Sequence, residues 1–370
     1  MSKPYRVIVW SPSNLGSACI REILRLPDFE LVGVLGYSEA KHGKDIGTLL
    51  GMPPAGITVT TDKETIFALP ADCVIYTGAP PFDWAAMEND VLRLLESGKN
   101  VVSATAFFYP QFHGAGFVEK FEAACKKGGV SLHGTGENGG FMMERLVTTV
   151  SALTNTVERV KLQESVYVGK IPAQTLGLYG FGLDPAEALN GPVNEIFKRW
   201  MFVESVSFAC KALFGREPER IEHKPIYEPS PETVAADSIT IEKGKTRFVR
   251  HAFNAILDGK PRVTIELLWY VRHEDAPFKE EGGAHDKWKI EIEGKPASLK
   301  LSLEAVASID HQLDMHPGDP TIPSYYVTSA ILLQAVPVVC AAPPGFVYAT
   351  TFTNAVEDFH RLATRKTLIT

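Results

Sequence analysis

Tyr5-Arg6-Val7-Ile8-Val9-Trp10, then Ser11-Pro12-Ser13-Asn14-Leu15-Gly16, then Ser17 to Leu26 is the stretch whose reading decides the fold. The first piece is short, rich in β-branched and aromatic residues, and almost continuously apolar, as a parallel strand covered on both faces would be. The third reads as an amphipathic helix, with Ile20, Ile23, Leu24 and Leu26 on one side and Arg21, Glu22 and Arg25 on the other. Glu30 to Leu35 supplies a second strand after a Pro-Asp turn, completing a βαβ unit. A strand, a tight turn and a helix opening on small residues form the place where a dinucleotide pyrophosphate rests on backbone amides. The turn departs from G-x-G-x-x-G. Ser11 and Ser13 take the first two glycine positions and only Gly16 keeps the third, with Asn14 and Leu15 between them. Any α/β protein with a polar first turn would show the same texture.

Working outward, strands continue to alternate with helices. Ala71 to Gly78, Asn100 to Ser103 and Gly129 to His133 read as buried strands, and Trp84 to Ser97 and about 115–127 as helices. The expected nucleotide domain is a Rossmann-type doubly wound parallel sheet over 1–150. Ligands of such sheets bind beyond the strands' carboxyl ends. That rule gathers Thr77, Gly78 and Ala79, then Ala104, Thr105 and Phe107, then Glu137 and Asn138 around a nicotinamide. After the second strand, an NAD-preferring site usually places an acid on the ribose. Here Gly36 is followed by Tyr37, Ser38, Lys41 and His42, donors and a cation that suit the 2′-phosphate of NADP(H), with NAD(H) and a plain solvated loop as alternatives.

Past about residue 155 the texture changes. Val157 to Tyr167 and Arg262 to Val271 read as strands, and Trp288–Glu293 with Ser298–Leu303 as a hairpin. A Gly-rich loop at 176–182 precedes two helical stretches running to about Phe214. A second, α+β domain on a mostly antiparallel sheet is expected over 151–325, for substrate and dimerisation. Helices at 326–370 should pack back toward the nucleotide domain, the first spanning about Tyr326 to Cys340.

The 370 residues carry a net charge of −7 without a basic stripe, which argues against nucleic acid or an anionic membrane as partner. Five scattered cysteines fit reduced thiols of a cytoplasmic protein. Met1 to Pro4 leads straight into a strand, so no signal peptide is expected. The uncharged run from Tyr325 to Ala349 holds three prolines and reads as a buried helix followed by a turn. His273, Glu274, His311 and Asp314 have no metal spacing, and no metal is expected. His133 reads as a hydrogen-bonded structural histidine.

Several motifs recur in one order: Gly43-Lys44-Asp45-Ile46-Gly47, Tyr109-Pro110, Gly134 to Phe141, Gly180 to Pro185, Glu204-Ser205, Leu213-Phe214-Gly215, and Gln334 to Pro337 through Gly345. In these the chain resembles the dihydrodipicolinate-reductase-like proteins that include 2,4-diaminopentanoate dehydrogenase and the native amine dehydrogenases. The resemblance implies an NAD(P)H-dependent amine dehydrogenase that converts a ketone or aldehyde and ammonia to an amine, in a two-domain subunit that forms a homodimer. It also implies three departures: the serine-substituted turn, Gly36 in place of the acid, and Thr105 and Ala106 where the family carries a Glu that binds ammonia. Glu137 is the nearest replacement carboxylate, with capping of the following helix or pairing with a cation as its other reading. Tyr167 and Tyr179 are candidates for a pocket wall with Thr105, Phe107 and Asn138. A reductase of another C=O, C=N or C=C bond, or a non-catalytic NADP-binding sensor, would fit the same fold.

Overall fold

The computed structural model describes residues 3–78, 83–278, 286–309 and 322–348. The chain divides into two compact units. The first joins Met1–Phe141 to His316–Thr370, and the second is Met142–Met315. In chain order the first unit contains β1 (Tyr5–Trp10), α1 (Asn14–Ile23), β2 (Phe29–Leu35), α2 (Ile46–Leu49), β3 (Val59–Thr60) and α3 (Lys63–Ala68). It continues with β4 (Cys73–Tyr76), α4 (Trp84–Glu96), β5 (Asn100–Ser103), α5 (Ala115–Gly128) and β6 (Ser131–Gly134). The second unit opens on a π-helical turn, Met142–Val147, followed by α6 (Thr148–Ser151), β7 (Thr156–Tyr167), α7 (Ala173–Leu178), α8 (Pro185–Leu189), α9 (Pro192–Phe197) and α10 (Phe202–Phe214). Then come β8 (Arg220–Pro229), β9 (Val234–Ala235), β10 (Thr240–Ile241), β11 (Thr246–Leu257), β12 (Lys260–Tyr270), β13 (Asp286–Lys295) and β14 (Leu299–Ala305). Finally α11 (Pro323–Ala341) and β15 (Gly345–Phe346) return to the first unit.

The first unit is built on a parallel sheet in the order β15-β6-β5-β4-β1-β2-β3. Val7 to Trp10 are all fully buried, because both faces of the sheet are covered. On one face Val7 and Val9 meet Cys19, Ile20 and Ile23 of α1 and Leu332, Leu333, Val336 and Val339 of α11. On the other, Trp10 stacks on Tyr76 at 5.5 Å and tilts against Phe67 at 5.8 Å. Asp62 caps α3 by accepting from the Glu64 amide at 3.0 Å, and Asp83 caps α4 from Ala86 at 2.9 Å. The order reverses beside β1, so the mouth between β1 and β4 is the switch point where such sheets bind ligands. By length and composition α11 could cross a membrane; its apolar side packs on α1 and β5. One helix, Pro323–Ala341, is what the described part of 326–370 contains.

The second unit carries a six-stranded sheet, β14-β13-β7-β12-β11-β8, antiparallel except for the β12–β7 pair. Two of its strands, β8 and β11, carry too little alternation to stand out in the sequence. β8 contains Pro225 and ends on Pro229, which an edge strand tolerates because one side of its backbone needs no partner. The Gly-rich stretch expected as a loop at 176–182 is half helix, since α7 runs to Leu178, and the two helical stretches before Phe214 are three.

Two histidines lie on adjacent strands of this sheet. His223 Nε2 is 3.0 Å from His251 Nδ1, and the rings stack at 5.2 Å with Phe197, Phe253 and Trp269 around them. Loss of hydration pushes His223 down to about 4 and His251 to about 3, the neighbouring Lys198 adding to the first and His223 to the second. Unfolded, both titrate near about 6.5. Above that pH neither state is charged and the pair costs nothing. Below it the unfolded chain takes up protons that the folded one refuses, so stability falls as pH drops from about 6.5 toward 4. We expect the thermal midpoint to decline between pH 6.5 and 5, before most carboxylates titrate, and His251→Phe to flatten that decline. An equal decline in the variant would show that other groups cause it.

Candidate active site

The Ser11–Gly16 turn leaves β1 at the switch point. Ser11 has φ +78, a left-handed conformation that glycine holds at no steric cost and serine holds at about 1 kcal/mol. Ser13 has φ −71 and is extended, so the second substitution requires no glycine. Gly16 is where glycine is indispensable: a Cβ there would lie 2.0 Å from the Ser11 carbonyl oxygen and 2.8 Å from Thr77 Oγ1. Thr77 fixes the turn from β4, donating to the carbonyls of Trp10 at 2.9 Å and Ser11 at 2.8 Å. Gly78 lies beside the Ser11 side chain, and Ala79 lies outside the described residues. Exposed Ser13 and Asn14 open α1, a ten-residue helix with no acid in its first turn. Closely approached backbone, free helix amides and hydroxyls are what a pyrophosphate requires, so a dinucleotide fits this turn. Ser11→Gly should raise the thermal midpoint by a few degrees, measured by melting; a fall would mean that the serine side chain holds the turn.

Beyond β2, Tyr37, Ser38, Lys41 and His42 are all exposed. Lys41 Nζ reaches back to within 3.5 Å of the Pro12 carbonyl, which puts a cation beside the turn. His42 Nδ1 instead accepts from the Thr61 amide at 3.1 Å and faces the loop after β3. Gly36 has a packing reason of its own, because a Cβ there would meet Val59 Cγ1 at 2.7 Å. Tyr37 OH accepts from Trp10 Nε1 at 2.7 Å. An ion pair stands beneath the Tyr37 ring. Lys63 Nζ lies 6.0 Å from the Tyr37 ring and 5.8 Å from that of Trp10, and is held by both oxygens of Asp90 at 2.9 and 2.7 Å. Burial raises the Asp90 carboxyl against the pull of Lys63. A lysine and an aspartate on separate helices give no sequence signal for such a pair. Removing the exposed cation in Lys41→Ala should weaken NADPH about tenfold to a hundredfold, the worth of a charge-assisted phosphate contact, and leave NADH unchanged. Parallel titrations with both cofactors check this, and equal losses would remove the 2′-phosphate role.

The loops after β5 and β6 lie further along the sheet's carboxyl edge. Ala104 continues from β5, its amide bonded to the Tyr76 carbonyl at 2.9 Å. Thr105 turns its hydroxyl to Met87 Sδ at 3.6 Å and Ser103 Oγ at 3.3 Å, and Ala106 is fully buried, so these two positions bring no carboxylate. Phe107 is a core residue. It is 2 % exposed and packs among Phe117, Phe121 and Phe346. Gly134 is pressed against that same segment, a Cβ there lying 2.2 Å from the Phe107 carbonyl carbon. Glu137 and Asn138 follow, both half-buried, with Glu137 Oε1 and Asn138 Oδ1 shielded from solvent. His133 is structural, its Nδ1 lying 2.6 Å from the Val347 carbonyl of the strand alongside.

In the second unit, Tyr167 and Tyr179 do not share a wall. Tyr167 pairs across strands with Tyr270 and stacks on His273 at 4.1 Å, on one face of the sheet. Tyr179 packs edge-on against Trp269 at 5.2 Å, and Trp269 pairs with Val166 on the opposite face. Strand side chains alternate, so neighbours 269 and 270 point to opposite sides. Carboxylates are also buried in this unit, among them Glu144, Glu164 and Glu204; Ser205 Oγ donates to Glu144 at 2.5 Å. Among the described residues no group of three or more potential metal ligands is found.

No family model matches the chain. An amine dehydrogenase from Streptomyces virginiae is 26% identical over 313 residues, covering 80% of this chain and 84% of that protein. The solved amine dehydrogenase of Mycobacterium smegmatis superposes with a TM-score of 0.74 at 19% identity, covering 93% of this chain and 95% of that one. A biliverdin reductase from Synechocystis, solved with biliverdin and NADP+, superposes with a TM-score of 0.52 at 12% identity, covering 98% and 95%. In sequence the chain is a homologue of an amine dehydrogenase, and in fold it resembles a solved amine dehydrogenase and a solved biliverdin reductase.

Proposed function

We propose that this protein is an NAD(P)H-dependent oxidoreductase that reductively aminates a ketone or aldehyde with ammonia. The observation that carries the reading is the Ser11–Gly16 turn at the switch point of a parallel sheet, in a chain similar to an amine dehydrogenase over 80% of its length. Ser11, Ser13, Asn14, Leu15 and Gly16 hold the pyrophosphate, Thr77 fixes the turn, and Lys41 favours NADP(H) over NAD(H). When bound, the nicotinamide supplies the hydride. The Glu137 carboxylate, on the loop after β6, holds the ammonium and takes its proton, and a negative charge there stabilises the iminium carbon. A water-poor surround protects the imine from hydrolysis.

NADPH oxidation across a panel of small ketones and aldehydes, with and without high ammonia, tests this reading. Turnover that requires ammonia supports it. Turnover indifferent to ammonia supports the second reading, plain reduction of C=O, C=N or C=C, which Thr105 and Ala106 favour by bringing no carboxylate. NADPH binding without turnover on any of these would leave a sensor.

We assign self-association to the second unit. The sheet face bearing Lys161, Gln163, Arg250 and Glu266 buries Glu266 to 2 % exposure under Lys161 at 2.8 Å, Gln163 at 2.5 Å and Arg250. A carboxylate so neutralised suits a face that packs on its own copy across a two-fold axis. Sedimentation at micromolar concentration should find twice the 40.6 kDa chain mass; a monomer would sink the assignment.

A further inference from the structure

Four of the five cysteines are fully buried, and Cys340 is half-exposed. Cys340 lies in the last turn of α11, and Cys73 begins β4. Cys340 Sγ donates to the Asp72 carbonyl at 3.7 Å, one residue before Cys73. It accepts from Asn100 Nδ2, also at 3.7 Å, and Asn100 is the β5 residue aligned with Cys73. Cys73 belongs to the buried cluster against which Cys340 packs, and its own Sγ donates to the Val74 carbonyl at 3.7 Å. Burial and the adjacent Cys340 together hold the Cys73 thiol well above the usual range. Burial pushes Cys19, Cys125 and Cys210 up to about 12.

We propose that Cys73 and Cys340 are an oxidisable thiol pair, a modification site at which a peroxide converts two thiols to a disulfide that ties α11 to the central sheet. The half-exposed Cys340 meets the oxidant first. Its thiolate attacks the peroxide, an S–O bond forms as the O–O bond breaks, and hydroxide leaves. Cys73 then attacks the resulting sulfenic sulfur, the S–S bond forms, the S–O bond breaks, and the departing hydroxide takes the Cys73 proton to become water. Two electrons pass from the two thiols to one peroxide, with two waters as product. The bridge spans most of the chain and closes a very long loop, the case in which cross-linking restricts the unfolded chain most.

The test treats the full-length protein with a small excess of hydrogen peroxide, then maps it without reduction. The expected result is one peptide joining Cys73 to Cys340, free thiols falling from five to three, and full recovery with dithiothreitol. The oxidised protein should melt several degrees higher than the reduced one. Cys340→Ser, a change at a half-exposed site, should keep its four remaining thiols and lose the oxidation-dependent shift. Oxidation of Cys340 to a sulfinic acid with Cys73 still free would overturn the proposal, as would a bridge to any other cysteine or between chains. The wild-type mapping decides the matter even if the variant folds poorly.

Discussion

Gly16→Ala is expected to weaken NADPH binding by about a hundredfold or more while lowering the melting temperature only modestly. The added methyl would sit 2.0 Å from the Ser11 carbonyl oxygen, and that neighbour is backbone of the same tight turn. A flexible side chain could swing aside; this carbonyl cannot move without opening the turn that carries the pyrophosphate. Thr77 resists the opening through its two bonds to the Trp10 and Ser11 carbonyls. Overpacking of this kind costs about 1–3 kcal/mol or more, and here most of it falls on the bound state, because the distorted turn no longer presents its amides together. Gly116→Ala in α5 is the control, since a Cβ there meets nothing within 4 Å. It should leave binding unchanged and stabilise the helix by up to about 1 kcal/mol. Isothermal titration of both variants gives the answer, and near-normal affinity in Gly16→Ala would place the pyrophosphate elsewhere.

The second large effect concerns Glu137. Glu137→Gln keeps the size and hydrogen bonding of the side chain and removes its charge. An electrostatic interaction made in the transition state is worth about 3 kcal/mol, or about a hundredfold in rate. Ammonia-dependent turnover should fall by that factor with NADPH affinity nearly intact. Unchanged turnover would take Glu137 out of the mechanism. A joint loss of affinity and thermal stability would identify a structural role.

The first unit was the more legible in sequence, for a physical reason. Its central strands are covered on both faces and appear as unbroken apolar runs, and α1, α4 and α5 each show one apolar side. Trp84–Glu96 and Ala115–Gly128 end within a residue or so of where Gly98 and Gly129 mark them. The second unit hides more. β11 interleaves Arg247, Arg250, His251 and Asn254 with its apolar residues, and those polar groups are accommodated by partners that only the fold supplies, such as His223 for His251. Tyr167 and Tyr179 look equivalent in sequence because the face a strand residue takes depends on register, and register is set by the partner strand. Met142–Val147 gives no signal at all, since a π-turn has neither the period of a helix nor that of a strand. At the candidate site the Ser11–Gly16 turn is one contiguous stretch of sequence, whereas the Lys63–Asp90 support beneath Tyr37 joins residues 27 apart on two helices.

The interrupted course of the first unit also has a temporal side. On the ribosome, β1 through β6 are made before α11, so the face of β1 and α1 that receives Leu332, Leu333, Val336 and Val339 has no cover until that helix exists. The 142–315 unit, contiguous in sequence, has all its strands available before that helix exists. The first unit is therefore completed after the second, and its β1–β6 part should need the longest protection from chaperones during synthesis.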